Sequence, residues 1–117
     1  MCSPLKAIQI FFSFALLALF FQYALASSED QRAFAIAKQN ACLGCHAINK
    51  KIVGPSFESV AQKYQADPNA QGFLKNKIAK GGAGSWGVVP MPANTKLSDS
   101  DLSLLASWVL RGAPNKN

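Results

Sequence analysis

The strongest constraint on this chain is one short motif, Cys42-Leu43-Gly44-Cys45-His46, which matches the pattern Cys-x-x-Cys-His. Residues three positions apart lie on the same side of a helical turn, so both thiols can reach one edge of a single flat ligand. His46 follows directly, where its imidazole can turn inward towards a central metal. This order is the attachment pattern of c-type haem, in which both cysteines form thioethers and the histidine binds iron.

A Cys-x-x-Cys pair also occurs in thioredoxin-like redox proteins and in zinc sites. The redox pair normally accompanies a βαβ pattern, which this sequence lacks. A structural zinc site needs further Cys or His ligands, whereas His46 is the only histidine and no cysteine follows Cys45. The motif therefore predicts one covalently bound haem c.

The beginning of the chain has the pattern of a secretory signal peptide. Lys6 precedes a largely apolar run over residues 8–21, and an Ala-Leu-Ala triplet ends at Ala26. Small residues in this spacing are read by signal peptidase, which predicts cleavage after Ala26. The alternative is an uncleaved membrane anchor, but the run is short for a span of about 20 residues. We expect residues 1–26 to be removed and residues 27–117 to form one exported monohaem domain.

The charge balance is basic, with 12 Lys and Arg against 6 Asp and Glu. The lysines are dispersed among apolar residues, which argues against nucleic-acid binding and favours acidic protein partners or a membrane surface. Lys38, Lys50 and Lys51 flank the haem motif, and Lys80 precedes a loop, so these lysines are expected to surround a docking surface for acidic partners. Once residues 1–26 are removed, we expect a monomer with no stable membrane insertion.

The remaining sequence has helical periodicity throughout and no convincing strand pattern. A Ser-x-x-Gln capping box predicts the start of the first helix, and Ser98 and Gly112 are typical start and stop residues of the last. The second helix has apolar residues at i, i+3, i+4 and i+7. The predicted all-α domain contains helices over residues 28–40, 57–65 and 70–80, a loop over 81–95, and a final helix between Ser98 and Gly112.

Met91 is the expected second axial ligand of the iron, because it is the only methionine left after cleavage of residues 1–26. Most methionines fill cores, but those lie on helix faces rather than between two prolines. Pro90 and Pro92 make this loop stiff and extended. A thioether ligand favours ferrous iron and raises the reduction potential. With His46 and Met91 both bound, no position is open to substrate, which predicts an electron carrier rather than an enzyme.

The sequence resembles the small class I c-type cytochromes of bacteria, most of all the short periplasmic type that feeds nitrite reductases and terminal oxidases. The resemblance covers residues 27–117 and rests on the Cys-x-x-Cys-His motif and on Trp-Gly-x-x-Pro-Met-Pro at residues 86–92. It implies about four helices around one haem, with the first and last helices crossing. In this chain that crossing would pair Phe34 with Trp108.

The resemblance also implies roles for residues around the haem. The carbonyl of Pro55 would accept the Nδ1–H of His46, and Trp86 would donate its indole N–H to a haem propionate. Asn94 would donate towards the methionine sulfur. Lys77 stands where several relatives have an arginine near a propionate, and a lysine there lacks bidentate geometry.

These features together predict a soluble periplasmic one-electron carrier that delivers electrons to a respiratory acceptor such as a terminal oxidase or nitrite reductase. Two other functions stay open at this point. A haem peroxidase or ligand-binding sensor would need a weak or absent sixth ligand. A membrane-tethered subunit of a larger oxidase would retain the N-terminal apolar run.

Overall fold

Helices dominate the computed structural model, which describes residues 4–115. The all-α prediction is confirmed, with a small antiparallel hairpin added between the third and fourth helices. The elements in order are helix α1 (Pro4–Gln39), a 3-10 turn (Cys42–Gly44), α2 (Phe57–Tyr64), α3 (Ala70–Lys80), strands β1 (Gly82–Gly84) and β2 (Gly87–Met91), and α4 (Asp99–Leu110).

The core is organised around α4, which packs against α1, α2 and α3. Trp108 of α4 is fully buried. Its ring lies edge-on to Phe34 of α1, with centroids 6.3 Å apart, and to Phe57 of α2 at 5.2 Å. The predicted pairing of Phe34 with Trp108 is therefore confirmed. The other buried hydrophobic residues of the described chain are Ala33, Ala37, Val60, Ala70, Leu74, Leu102, Leu105, Ala106, Val109 and Ala113.

Two ion pairs join α1 to the ends of α4. Arg32 lies 2.8 Å from Asp101, and Asp30 lies 2.6 Å from Arg111. Exposed pairs of this kind contribute only about 0–1 kcal/mol each. Their effect is mainly to fix how the two helices are aligned over the buried aromatic contact.

The C-terminus of α4 is sealed by backbone and side-chain hydrogen bonds. Gly112 has a φ of 83°, the left-handed conformation that glycine adopts at helix ends. Beyond it, the N–H of Ala113 donates to the Trp108 carbonyl at 2.9 Å. The indole N–H of Trp108 donates to the Pro114 carbonyl at 3.1 Å. Ser98 caps the other end of α4 as predicted, and its hydroxyl accepts the backbone N–H of Asp101.

The predicted start of the first helix at Ser28 is wrong for the chain that contains residues 1–26. Helix α1 begins at Pro4 and runs through Ser28, whose hydroxyl donates to the Leu25 carbonyl at 2.7 Å. The upstream residues already satisfy the backbone donors, so a cap has nothing to accept there. In the described part of the chain, no helix is both long and apolar enough to cross a membrane.

The expected loop after α3 contains a hairpin, which the sequence analysis missed. Gly82 pairs with Met91 and Gly84 with Gly87, and residues Ser85 and Trp86 form the turn. All three of these glycines have positive φ angles. A strand of sequence Gly-Ala-Gly has no alternation of apolar and polar side chains, so its pairing leaves no sequence pattern.

Candidate haem site

The cysteine motif lies in a tight turn directly after α1. Ala41 has a left-handed backbone conformation, with a φ of 58°, so the chain changes direction between α1 and the turn. The carbonyl of Cys42 then accepts the N–H of Cys45 at 3.2 Å and of His46 at 2.9 Å. These bonds place both half-buried cysteines on one turn, and His46 is the next residue in the sequence.

The Cys42 thiol is shielded from water. Burial raises its pKa above the ordinary value, a backbone hydrogen bond at Cys42 acts in the opposite direction, and the nearby Cys45 raises it further. Because the thiolate is the nucleophilic form, a raised pKa lowers the reactivity of Cys42 relative to an ordinary exposed cysteine.

The imidazole of His46 is held on three sides. Its Nδ1 lies 2.7 Å from the carbonyl oxygen of Pro55, and its ring stacks on Phe57 with centroids 5.3 Å apart and planes 16° apart. A carbonyl only accepts, so Nδ1 carries the proton and Nε2 keeps the free lone pair. Gly54 covers the ring so closely that a Cβ atom there would overlap Cε1 of the imidazole.

The loop after the motif folds back onto it. The carbonyl of Cys45 accepts the backbone N–H groups of Val53, at 3.2 Å, and of Gly54, at 2.8 Å. These bonds bring Gly54 and Pro55 against His46. The orientation of the imidazole is therefore fixed by main-chain geometry, as is common for histidines that bind metals.

Met91 is the last residue of β2 and is half-buried. The carbonyl of Met91 lies against Gly81, where a Cβ atom would overlap it. Gly81 is buried and has a φ of 67°, so only glycine fits both the conformation and the space without strain. Together with the flanking prolines, this contact holds the Met91 backbone in one place at the end of α3.

A cavity of about 600 Å³ lies between the motif, α2, α3, the hairpin and α4. This volume is within the roughly 300–1,000 Å³ typical of small-molecule and cofactor sites. All eight residues singled out from the sequence line it: Cys42, Cys45, His46, Pro55, Lys77, Trp86, Met91 and Asn94. The donor set of two thiols, one imidazole with a free nitrogen and one thioether fits a covalently attached haem.

The residues expected around the haem propionates and the methionine have further contacts. Trp86 is 42% exposed, and the ammonium of Lys63 lies 4.4 Å from its ring centroid. The Lys77 ammonium lies 5.8 Å from the ring centroid of Phe73. The backbone N–H of Asn94 donates to a carbonyl of α3 at 3.1 Å.

Four residues of the site were missed in the sequence analysis. Gly54 and Gly81 matter because they lack a side chain. The only sequence signal for these roles is that Gly54 precedes a proline and Gly81 follows a predicted helix. Phe57 was assigned to the core but also stacks on His46. Lys63 reaches the hairpin over 22 residues of sequence, and no local pattern indicates such a contact.

Comparisons with known proteins agree with this site. The family model described as Cytochrome c matches residues 31–112. Cytochrome c-552 of Nitrosomonas europaea is 43% identical over 75 residues, which are 64% of this chain and 73% of that protein. Cytochrome c-551 of Stutzerimonas stutzeri is 37% identical over 93 residues, 80% of this chain and 85% of that one.

The fold comparison points the same way. The crystal structure of wild-type Nitrosomonas europaea cytochrome c552 superposes with a TM-score of 0.64 at 41% identity. The match covers 67% of this chain and 96% of that structure. The chain therefore belongs to the cytochrome c family, as a small bacterial class I c-type cytochrome with one covalently bound haem c.

Proposed function

We propose that this electron-transfer protein is a soluble periplasmic carrier with His46 and Met91 as the axial ligands of its haem iron. Cys42 and Cys45 are the proposed attachment residues. The main support is the arrangement of the His46 imidazole, which lines the cavity. Its Nδ1 donates to the Pro55 carbonyl, so Nε2 is the nitrogen left free to bind iron. Met91 lines the same cavity.

The surrounding residues suit transfer of single electrons. When bound, the haem supplies an iron that alternates between ferric and ferrous states. Pro55 and Phe57 keep the imidazole from rotating, and Gly81 keeps the Met91 backbone in place, so the ligands move little when the charge changes. Trp86 and Lys77 are proposed to contact the propionates, and Asn94 to donate to the Met91 sulfur.

Replacing Met91 with alanine tests the axial assignment. The oxidised wild-type protein is expected to show the weak red-edge absorption of sulfur-to-ferric charge transfer. Met91→Ala should remove this band and lower the reduction potential, because the soft ligand that stabilises ferrous iron is lost. Visible spectra and a redox titration measure both effects.

Carbon monoxide provides the control for this experiment. The reduced wild-type protein should bind it poorly because both axial positions are filled, and reduced Met91→Ala should bind it readily. Tight binding by the wild type would contradict the carrier proposal and favour a peroxidase or sensor. A red-edge band that persists in Met91→Ala would show that another residue holds the sixth position.

We further propose that residues 1–26 are a signal peptide removed on export. Four described apolar residues of this part of α1, namely Leu16, Leu17, Phe20 and Leu25, are each more than half exposed. The family match begins only at residue 31. N-terminal sequencing of the exported protein should therefore begin at Ser27. A chain that retains the apolar run would support a membrane-tethered subunit instead.

The partners proposed here are respiratory acceptors with acidic docking surfaces, such as a terminal oxidase or nitrite reductase. Lys50 and Lys51 are exposed, and they precede Ile52 and Val53, which are 47% and 51% exposed. Val53 also lines the cavity. A basic rim beside an apolar surface speeds encounter with an acidic partner and still permits rapid release.

Reversing the charge of Lys50 and Lys51 to glutamate should slow electron transfer to an acidic acceptor about tenfold at low salt. The effect should largely disappear near 1 M salt, where the Debye length falls to about 3 Å. Stopped-flow mixing at several ionic strengths measures the second-order rate. Equal rates for variant and wild type at low salt would show that partners dock elsewhere.

A further inference from the structure

Lys63 connects the last turn of α2 to the tip of the hairpin. Its ammonium donates to the carbonyl of Ser85 at 2.6 Å and lies 4.4 Å from the ring centroid of Trp86. Ser85 and Trp86 are the turn residues between β1 and β2. One exposed side chain therefore makes both a charged hydrogen bond and a cation–π contact with the same turn.

The hairpin is held differently at its base and at its tip. At the base, the N–H of Gly81 donates to the carbonyl of Lys77 at 2.8 Å, and that of Asn94 donates to Ile78 at 3.1 Å. Towards the tip, β1 is exposed along its whole length, and Val88 and Val89 of β2 are 92% and 61% exposed. The base is thus part of the helical body, whereas the tip has little apolar burial.

We propose that Lys63 is a positioning residue that keeps the hairpin closed over the cavity and so maintains the bond from Met91 to iron. The inference rests on the proposed ligation by Met91. If the tip swings away from α2, both contacts of Lys63 break together and the cavity opens beside the tip residues that line it, while Met91 stays at the base of the hairpin against Gly81. Opening is then the step that lets an external ligand replace the thioether.

The proposal is tested with imidazole as the competing ligand of the oxidised holoprotein, followed by loss of the red-edge absorption. Lys63→Ala should bind imidazole about fivefold more tightly than wild type, because opening no longer breaks a charged hydrogen bond and a cation–π contact. Lys63→Arg should stay within about twofold of wild type, since a guanidinium can both donate and stack on an indole. Lys96→Ala removes the same charge at an exposed lysine that has no assigned role, and it should have no effect.

The outcomes separate this proposal from the one on which it rests. A wild-type protein without the red-edge band would refute ligation by Met91 before any variant is compared. With the band present, an unchanged imidazole affinity in Lys63→Ala would refute the positioning role. An equal increase in Lys96→Ala would refute it as well, because net charge alone would then explain the effect. Thermal unfolding of each holoprotein verifies that the variants are folded.

Discussion

Replacing both Cys42 and Cys45 with alanine is expected to abolish the holoprotein and to leave the chain largely unfolded. Without covalent attachment, the cavity of about 600 Å³ loses the group that fills it. The apolar side chains that line it, such as Val60, Leu74 and Leu105, would then face water, and burial of each side chain of this kind contributes about 1.5–3 kcal/mol. A small domain is stable by only about 5–15 kcal/mol in total. The remaining core cannot offset that loss.

Acid–acetone extraction and far-ultraviolet circular dichroism measure the two parts of this prediction. Each single alanine variant serves as a control, since one cysteine can still form one thioether. Haem that stays with the protein through extraction of the double variant would contradict covalent attachment at these residues. Native-like helical dichroism in the double variant would contradict the dependence of folding on haem.

Replacing Gly54 with alanine is expected to displace the imidazole of His46. The added Cβ would overlap Cε1 and come within 3.0 Å of both ring nitrogens. The ring cannot move away freely, because Pro55 holds Nδ1 and Phe57 lies against its face. Overpacking of this kind costs about 1–3 kcal/mol. We expect less holoprotein, a lower melting temperature and an altered spectrum of the iron.

Gly72→Ala is the matched control for this substitution. Gly72 lies within α3, and a Cβ atom there meets no heavy atom within 4 Å. Alanine should stabilise the helix by about 0.5–1 kcal/mol, so the melting temperature should rise and the spectrum should not change. If Gly54→Ala has the wild-type melting temperature and spectrum, the close packing of Gly54 on His46 does not determine how the ligand is oriented.

The sequence predicted the parts of the fold that depend on local patterns. Helices α2 and α4 have apolar faces and capping residues, and both lie within one or two residues of their predicted bounds. The eight candidate site residues surround one cavity. They could be identified from the sequence because most of them belong to two motifs, at residues 42–46 and 86–92.

The features that were missed depend on contacts between distant residues or on the absence of a side chain. The contact of Lys63 with Trp86 exists only once α2 and the hairpin are folded together. The closeness of Gly54 to His46 follows from the loop that folds back on Cys45. The capping signal at Ser28 does not start a helix, because residues 4–27 before it are already helical.

The packing of α4 against every other helix links folding to the order in which the chain is made. Trp108 emerges from the ribosome last among the large core residues, and in an exported chain it also crosses the membrane last. Until it arrives, neither Phe34 nor Phe57 has its aromatic partner. Cys42 and Cys45 emerge much earlier, because they precede Trp108 by more than 60 residues. Synthesis from the N-terminus thus exposes the proposed attachment residues well before Trp108 can complete the core around them.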